Sequence, residues 1–419
     1  MPAPSSAASP LVDLAVIGLL AAWLLQAILC AWFALLVRRR SGAGPPAPTP
    51  QGSWPQAEVV LCLRGVDPAL EHTLAALAAQ RYPGEWRLQV VVDRRDDPAW
   101  AVVAELLLRL EVEGCTPWRA AQIRALAADP RAGSRKCAAL HQAFGQLDAR
   151  TEVVALVDAD AVVPPDWLRQ LVLACQRPGV GAGGGNRWYA PTVRTGPAMV
   201  RAIWNAGALV LMTVLTIPWG GSLAIRRPLI EASGWRQCLR RSLCEDTALA
   251  QPLWRHGWRF WFEPALLVVD RDASVDLRGL VRWITRQLLM ARMHHPAWPL
   301  VLGHGLGTAL LQLAVVALAL VELGRGNTAT AVGLLAALGL YELGCGLLLL
   351  AIQRVVAGAI PLPGRIPALV WWMWLPLAQL VYGVAALRAL LARRVEWSGV
   401  TYQLSGAGVV PLGPEASHV

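Results

Sequence analysis

The residues best placed to do chemistry are acids that follow short apolar runs. Val153–Val157 reads VVALV and is followed at once by Asp158-Ala159-Asp160. In an extended chain, residues two apart project to the same face, so both carboxylates can aim at one ligand. Two hard oxygen donors at that spacing suit Mg2+ or Mn2+, and such an ion neutralises a diphosphate. Solvated loop acids give the same pattern; the position directly after a β-rich run favours the ligand reading. A second apolar run, Gln89–Val92, ends at Asp93, with Asp96 and Asp97 close behind. Further on, Cys244-Glu245-Asp246 precedes a helical pattern over Thr247–His256. An acid there can simply cap the helix, or it can serve as general base toward a hydroxyl.

One cation stands apart. Lys136 is the only lysine, so 37 of the 38 basic residues are arginine. Chance can leave one lysine, but so can a site that needs a compact, strongly hydrated charge on a thin stem rather than a planar fork. A phosphate oxygen in a tight nucleotide pocket is such a site.

These residues need a scaffold, and the pattern supplies one. Glu58–Leu63, Gln89–Val92 and Val153–Val157 read as buried parallel strands. Helical spacing fills the gaps between them, over Pro68–Gln80 (Leu70, Leu74, Leu77) and Trp100–Leu110. Alternating strands and helices make an α/β fold with a doubly wound, mostly parallel sheet. Ligands of such sheets bind beyond the carboxyl ends of the strands.

The chain has 419 residues, 55% hydrophobic and only 16% charged, which argues against a disordered or wholly soluble protein. Residues 14–37 form an apolar run of 24, roughly 36 Å as a helix and long enough to cross a bilayer. Arg38, Arg39 and Arg40 follow it and place that end in the cytoplasm. The expected organisation is a tail over 1–13, an uncleaved anchor over 14–37, a linker over 38–54 and a catalytic domain over 55–277. An amphipathic interfacial helix over 278–300 follows, then spans over 301–321 and 329–352. If the catalytic domain and the Arg393/Arg394 end share the cytoplasm, an even number of crossings separates them. Residues 366–392 then lie in the interface or re-enter, a third full crossing being the alternative, and 393–419 form a cytosolic tail. This describes a multi-pass cell-membrane protein. The net charge of +10 sits largely at the borders of apolar runs, which suits a membrane surface and not nucleic acid. Eight cysteines make no CxxC pair, so neither structural zinc nor a disulfide framework is expected.

Several segments, in order, resemble glycosyltransferase family 2. They are VVLCLRGVDP, AAQRYPGEWRLQVVVDRRDDPAW, GSRKCAAL, VDADAVVPPDWL, GNRWYAP, WGGSLAIRR, LCEDTALAQPLWRHGWRFWFEP and RWITRQLLMAR, with RRVEWSGVTYQL near the C-terminus. The nearest likeness is the membrane-bound ceramide-glucosyltransferase-like branch. The resemblance implies a GT-A fold and an inverting transfer of a sugar, by default glucose from UDP, to a lipid hydroxyl. It implies that Asp93 and the Asp96/Asp97 neighbourhood hold the nucleotide, that Asp158 and Asp160 hold ribose and metal, and that Asp246 is the base. It also puts a lysine in the segment of Lys136, and it places Glu245, Trp219 and Gly221 on the acceptor side.

The family's (Q/R)xxRW segment is degenerate here. Read from Arg286, Leu289-Met290 stands where RW is expected; Arg286 and Gln287 are the working candidates. The segment Gly179–Gly184 formally contains GxGxxG but opens no clear helix; the expectation is close backbone approach to sugar or acceptor. Two other readings compete. A processive polysaccharide synthase would need more spans and an intact arginine–tryptophan pair. A catalytically silent scaffold would not need Asp158, Asp160, Asp246 and Lys136.

Overall fold

The computed structural model describes residues 10–42, 54–127, 133–406 and 408–412. In chain order the elements of the amino-terminal half are α1 (Pro10–Ser41), β1 (Ala57–Leu63), α2 (Leu70–Ala78), β2 (Trp86–Val92), α3 (Pro98–Val112), β3 (Ala120–Ala125), α4 (Arg135–Phe144), β4 (Val153–Val157), α5 (Trp167–Cys175), β5 (Val180–Gly184), β6 (Arg187–Tyr189) and α6 (Gly196–Val214). They continue with β7 (Ser222–Arg226), α7 (Arg227–Ala232), α8 (Trp235–Cys238), α9 (Ala250–Arg255), β8 (Arg259–Phe262), β9 (Val268–Asp270), α10 (Leu277–His294), α11 (Trp298–Gly324), α12 (Thr328–Ala359), α13 (Ala368–Leu391), β10 (Arg394–Trp397), β11 (Val400–Ser405) and β12 (Gly408–Pro411).

The central sheet has the order β3-β2-β1-β4-β7-β5-β8. Only β7 runs against its neighbours, so the doubly wound, mostly parallel α/β fold expected from the sequence is present. Strand side chains alternate between two cores. Val59 and Leu61 of β1 pack with Leu74 of α2 and Trp167 of α5, while Val60 packs with Leu140 of α4 and the apolar helices. The chain winds from β1 outward to β3 and then returns to place β4 on the other side of β1. That reversal opens a crevice beyond the carboxyl ends of β1 and β4, where Arg64 and Asp158 begin their loops.

Among the described residues, five helices are long and apolar enough to cross a membrane: α1, α6, α11, α12 and α13. The sequence reading missed α6, whose Arg201 and Asn205 interrupt the apolar run. It is the most enclosed of the five, with Arg201 held by Asp272 and Asn205 accepting from the Tyr189 amide. The helix α13 runs unbroken through Pro376 and does not double back, so the re-entrant form of the expectation does not apply. At its start, Arg194 donates to the Arg365 carbonyl. At its end, Arg292 of α10 donates to the carbonyls of Ala389 and Ala392 at 2.7 and 2.9 Å.

Of the expected tail over 393–419, residues 393–406 and 408–412 are described, and they carry β10, β11 and β12. Strands β10, β11 and β12 form an antiparallel sheet whose Tyr402 and Ser398 bond to the catalytic body. Two further expectations are shifted by backbone geometry. The expected linker over 38–54 begins inside α1, and residues 43–53 of it lie outside the described residues, as do 1–9 of the expected tail over 1–13. Gly181, Gly183 and Gly184 lie in β5, where a side chain on Gly183 would sit 2.7 Å from Ala174 of α5. They serve close packing of helix on sheet, not approach to a ligand.

Candidate active site

Strand β2 delivers Asp93 to the crevice. Its carboxylate, 3% exposed, takes an ion pair from Arg64 and another from Arg135 Nε at 3.3 Å. The C-terminal sheet braces both arginines: Arg64 donates to the Ser398 carbonyl at 2.7 Å, and the Arg135 amide donates to the Tyr402 hydroxyl. Asp96 does not join them. After Val92 the chain turns to start α3, with Asp97 as its N-cap accepting from the Ala99 amide. Asp96 is left 75% exposed beside Arg94, away from the crevice.

Lys136 lies in the first turn of α4, behind the Ser134 N-cap. Its Nζ is 2.6 Å from Asp158 Oδ1 and 2.6 Å from Glu245 Oε1. Burial alone would depress this ammonium, but the charges of Asp158 and Glu245 outweigh it and hold the pKa well above the ordinary lysine value. Glu245 is 0% exposed, and burial raises its own pKa against the pull of Lys136. It pairs with Lys136 and is not among the residues that line the cavity described below. Gly220 allows this packing, since a side chain there would run into the Glu245 carboxylate. At the expected Gly221, a side chain would instead strike the Trp219 ring.

For Asp246 the capping reading of the sequence is present in the structure. Its Oδ1 caps the short helical turn Thr247–Leu249 by accepting from the Thr247 amide at 2.5 Å. Its Oδ2 accepts from the Gly220 amide at 2.8 Å. Two backbone donors therefore fix the plane of a carboxylate that still lines the cavity. Cys244, Glu245 and Asp246 are also a close group of ligand-type atoms. Lys136 faces Glu245, and burial lifts the Cys244 thiol well above its ordinary pKa, so this trio is poorly suited to a metal.

The strand β4 stops at Val157. Asp158-Ala159-Asp160 is a turn, closed by the Ala161 amide on the Asp158 carbonyl at 3.1 Å and pinned by the Thr73 hydroxyl on the Ala159 carbonyl at 2.7 Å. The acids therefore converge through a turn, not through the extended spacing expected. A single guanidinium demonstrates the convergence. Arg187 of β6 makes two 2.7 Å bonds to Asp160, lies 4.0 Å from Asp158, and reaches Asp270 at 2.9 Å. Burial works against the Asp160 anion, but Arg187 prevails and holds its pKa below the usual value. Two carboxylates already focused on one cation are a donor set that fits Mg2+ or Mn2+.

These groups face one cavity of about 580 Å³. Of the expected residues it is lined by Asp93, Lys136, Asp158, Asp160, Trp219, Asp246, Arg286 and Gln287. Arg286 makes no ion pair among the described residues; its guanidinium lies 5.5 Å over the Trp397 ring of β10, and burial lowers its pKa. The cavity continues past α10 between α1, α6, α11, α12 and α13, where Gln26, Cys30, Trp204, Thr308, Leu349 and Gln379 line it. Sequence reasoning missed Arg64, Arg135, Arg187, Gly220 and Tyr402. Arg187 lies inside the quoted GNRWYAP, but an arginine among 37 carries no signal by type alone.

A family model described as "Glycosyl transferase family 21" matches residues 19–410. Among solved structures, the chain is similar to a mannosyltransferase from Pyrobaculum calidifontis in complex with GDP-Man and Mn2+, at 19% identity over 91% of this chain and 99% of that one, TM-score 0.49. It is also similar to glucosyl-3-phosphoglycerate synthase from Mycobacterium tuberculosis in complex with phosphoglyceric acid, at 15% identity over 59% of this chain and 79% of that one, TM-score 0.36. No curated protein matches the sequence.

Proposed function

The chain belongs to glycosyl transferase family 21, and on that premise we propose an inverting membrane hexosyltransferase that moves a sugar from UDP to the hydroxyl of a membrane lipid such as ceramide or diacylglycerol. The ceramide-glucosyltransferase-like branch of the motif resemblance is consistent with this family, which here has a GT-A-type α/β body and long apolar helices at both ends. The observation that carries the lipid reading is the single cavity that joins Asp246 to the space between α1, α6, α11, α12 and α13. A water-soluble acceptor needs no such apolar extension, whereas a lipid can keep its chains there while its hydroxyl meets the base.

The chemistry follows from the placement. The hydroxyl oxygen forms a bond to the anomeric carbon, the bond from that carbon to the diphosphate breaks, and the hydroxyl proton passes to the Asp246 carboxylate. One base and no covalent nucleophile give inversion. When bound, a divalent cation at Asp158 and Asp160 supplies positive charge to the leaving diphosphate. Lys136 adds a fixed charge beside Asp158, and Arg286, with no carboxylate of its own, adds another from α10. Asp93, with Arg64 and Arg135, forms the nucleotide end. Membranes carrying the full chain, given each UDP-sugar and a lipid extract, should yield a glycolipid identifiable by mass spectrometry, with UDP-glucose the best donor. Sugar found only in polymer or in water-soluble product would overturn the reading.

The arginines after α1 put the catalytic body in the cytoplasm. Strand β10 follows α13 by three residues, and Ser398 and Tyr402 bond to the catalytic body. The polypeptide around Ser398 therefore lies on the same side as that body, which requires an even number of crossings among α11, α12 and α13. A reporter fused after Ser398 is expected to read cytoplasmic; an external signal would require a third C-terminal crossing.

A further inference from the structure

Arg187 occupies the position a cation at Asp160 would take, and the surrounding groups let it leave. Its Nη1 and Nη2 each donate to Asp160 at 2.7 Å, and the same Nη1 also donates to Asp270 at 2.9 Å, so the two acids share one nitrogen of the guanidinium. The rings of Trp219 and Tyr189, 4.9 and 5.9 Å from its centre, flank it and offer a cation-favouring surface between the two acids. The ion-pair network around it holds four carboxylates (Asp158, Asp160, Glu245, Asp270) and two cations, Lys136 and Arg187. With every group ionised it is short by two positive charges, the charge of one divalent ion.

We propose that Arg187 is a displaceable internal counter-ion: it holds Asp160 when no divalent cation is present and withdraws to Asp270 when one binds. This rests on the metal reading given above and adds the residue that sets the affinity. A bidentate guanidinium–carboxylate pair is among the stronger side-chain contacts, so an incoming cation must outcompete it, and Asp270 reduces the cost by receiving the released guanidinium. The arrangement keeps Asp160 neutralised between turnovers and favours release of the cation with the diphosphate. Arg187 is thus a positioning residue that acts through Asp160.

Arg187 and Asp270 make opposite predictions. In the full chain in detergent, without donor, Mn2+ binding read from the loss of its free electron paramagnetic resonance signal should tighten roughly tenfold in Arg187→Gln, about the effect of removing one partly screened charge-assisted pair. Asp270→Asn should weaken binding several-fold, because the guanidinium then has only Asp160 to hold. Asp160→Asn should abolish binding at this site. If Arg187→Gln fails to fold, Arg187→Lys should shift affinity in the same direction by less, since a point charge cannot hold Asp160 with two bonds. A merely structural role would weaken binding in all of these variants. Unchanged or weaker binding in the folded Arg187 variants, or tighter binding in Asp270→Asn, overturns the inference while leaving the metal reading intact. Absence of Mn2+ binding in wild type and variants alike overturns both.

Discussion

Replacing Asp246 with asparagine should lower turnover by about 10^2 to 10^4-fold, the range of a positioned general base, while leaving donor affinity nearly unchanged. The separation follows from geometry. In the proposed reading Asp93, Lys136 and Asp158 serve the donor, whereas Asp246 is a separate carboxylate held by the amides of Gly220 and Thr247. An asparagine fits the same space but presents only one carbonyl oxygen to those two amides. One donor is left facing an NH2 group, at a stability cost of about 1 kcal/mol. Single-turnover kinetics, a nucleotide titration and a thermal unfolding curve on one preparation separate the three effects. Retained turnover would remove Asp246 as the base, and parallel loss of donor binding would make it a structural residue.

How much of this was legible in the sequence depended on what carried the signal. Strand β4 was read to the residue and β1 nearly so, because strands buried on both faces are continuous apolar runs. β3, with the sequence AAQIRA, lies half-buried at the sheet edge and has no such run. The helix α6 was hidden by Arg201 and Asn205, polar residues whose partners, Asp272 and the Tyr189 amide, are visible only in three dimensions. The site showed the same division. Acids at strand ends were readable because an α/β sheet fixes where strand ends point. Arg187, Arg64 and Tyr402 were not, because their partners are tens to hundreds of residues away. Asp96 is the converse case: Asp93, three residues before it, lines the cavity, but the turn into α3 leaves Asp96 exposed.

Lys136 tests whether the lone lysine is there for its shape. Lys136→Met leaves Asp158 and the fully buried Glu245 without their shared counter-charge, and removing one partner of a buried pair costs about 3 kcal/mol or more. The pH dependence has a definite sign. In wild type the raised lysine pKa gives stability that is complete below the ordinary lysine value of about 10.4 and is lost only as pH climbs through the folded value. In the methionine variant the buried Glu245 has lost its cation and takes up a proton on folding. Its stability should therefore fall as pH rises above the ordinary glutamate value of about 4.3, and the gap to wild type should widen toward neutrality. Lys136→Arg keeps the charge and should keep most of the stability. Its planar fork cannot occupy the point that Nζ holds between two carboxylate oxygens each 2.6 Å away, in a space already closed by Gly220. The expected result is a kcat/KM for donor reduced roughly 10- to 100-fold with a nearly wild-type unfolding curve. Wild-type kinetics in the arginine variant would show that charge alone suffices at this position and that the lysine was an accident of composition.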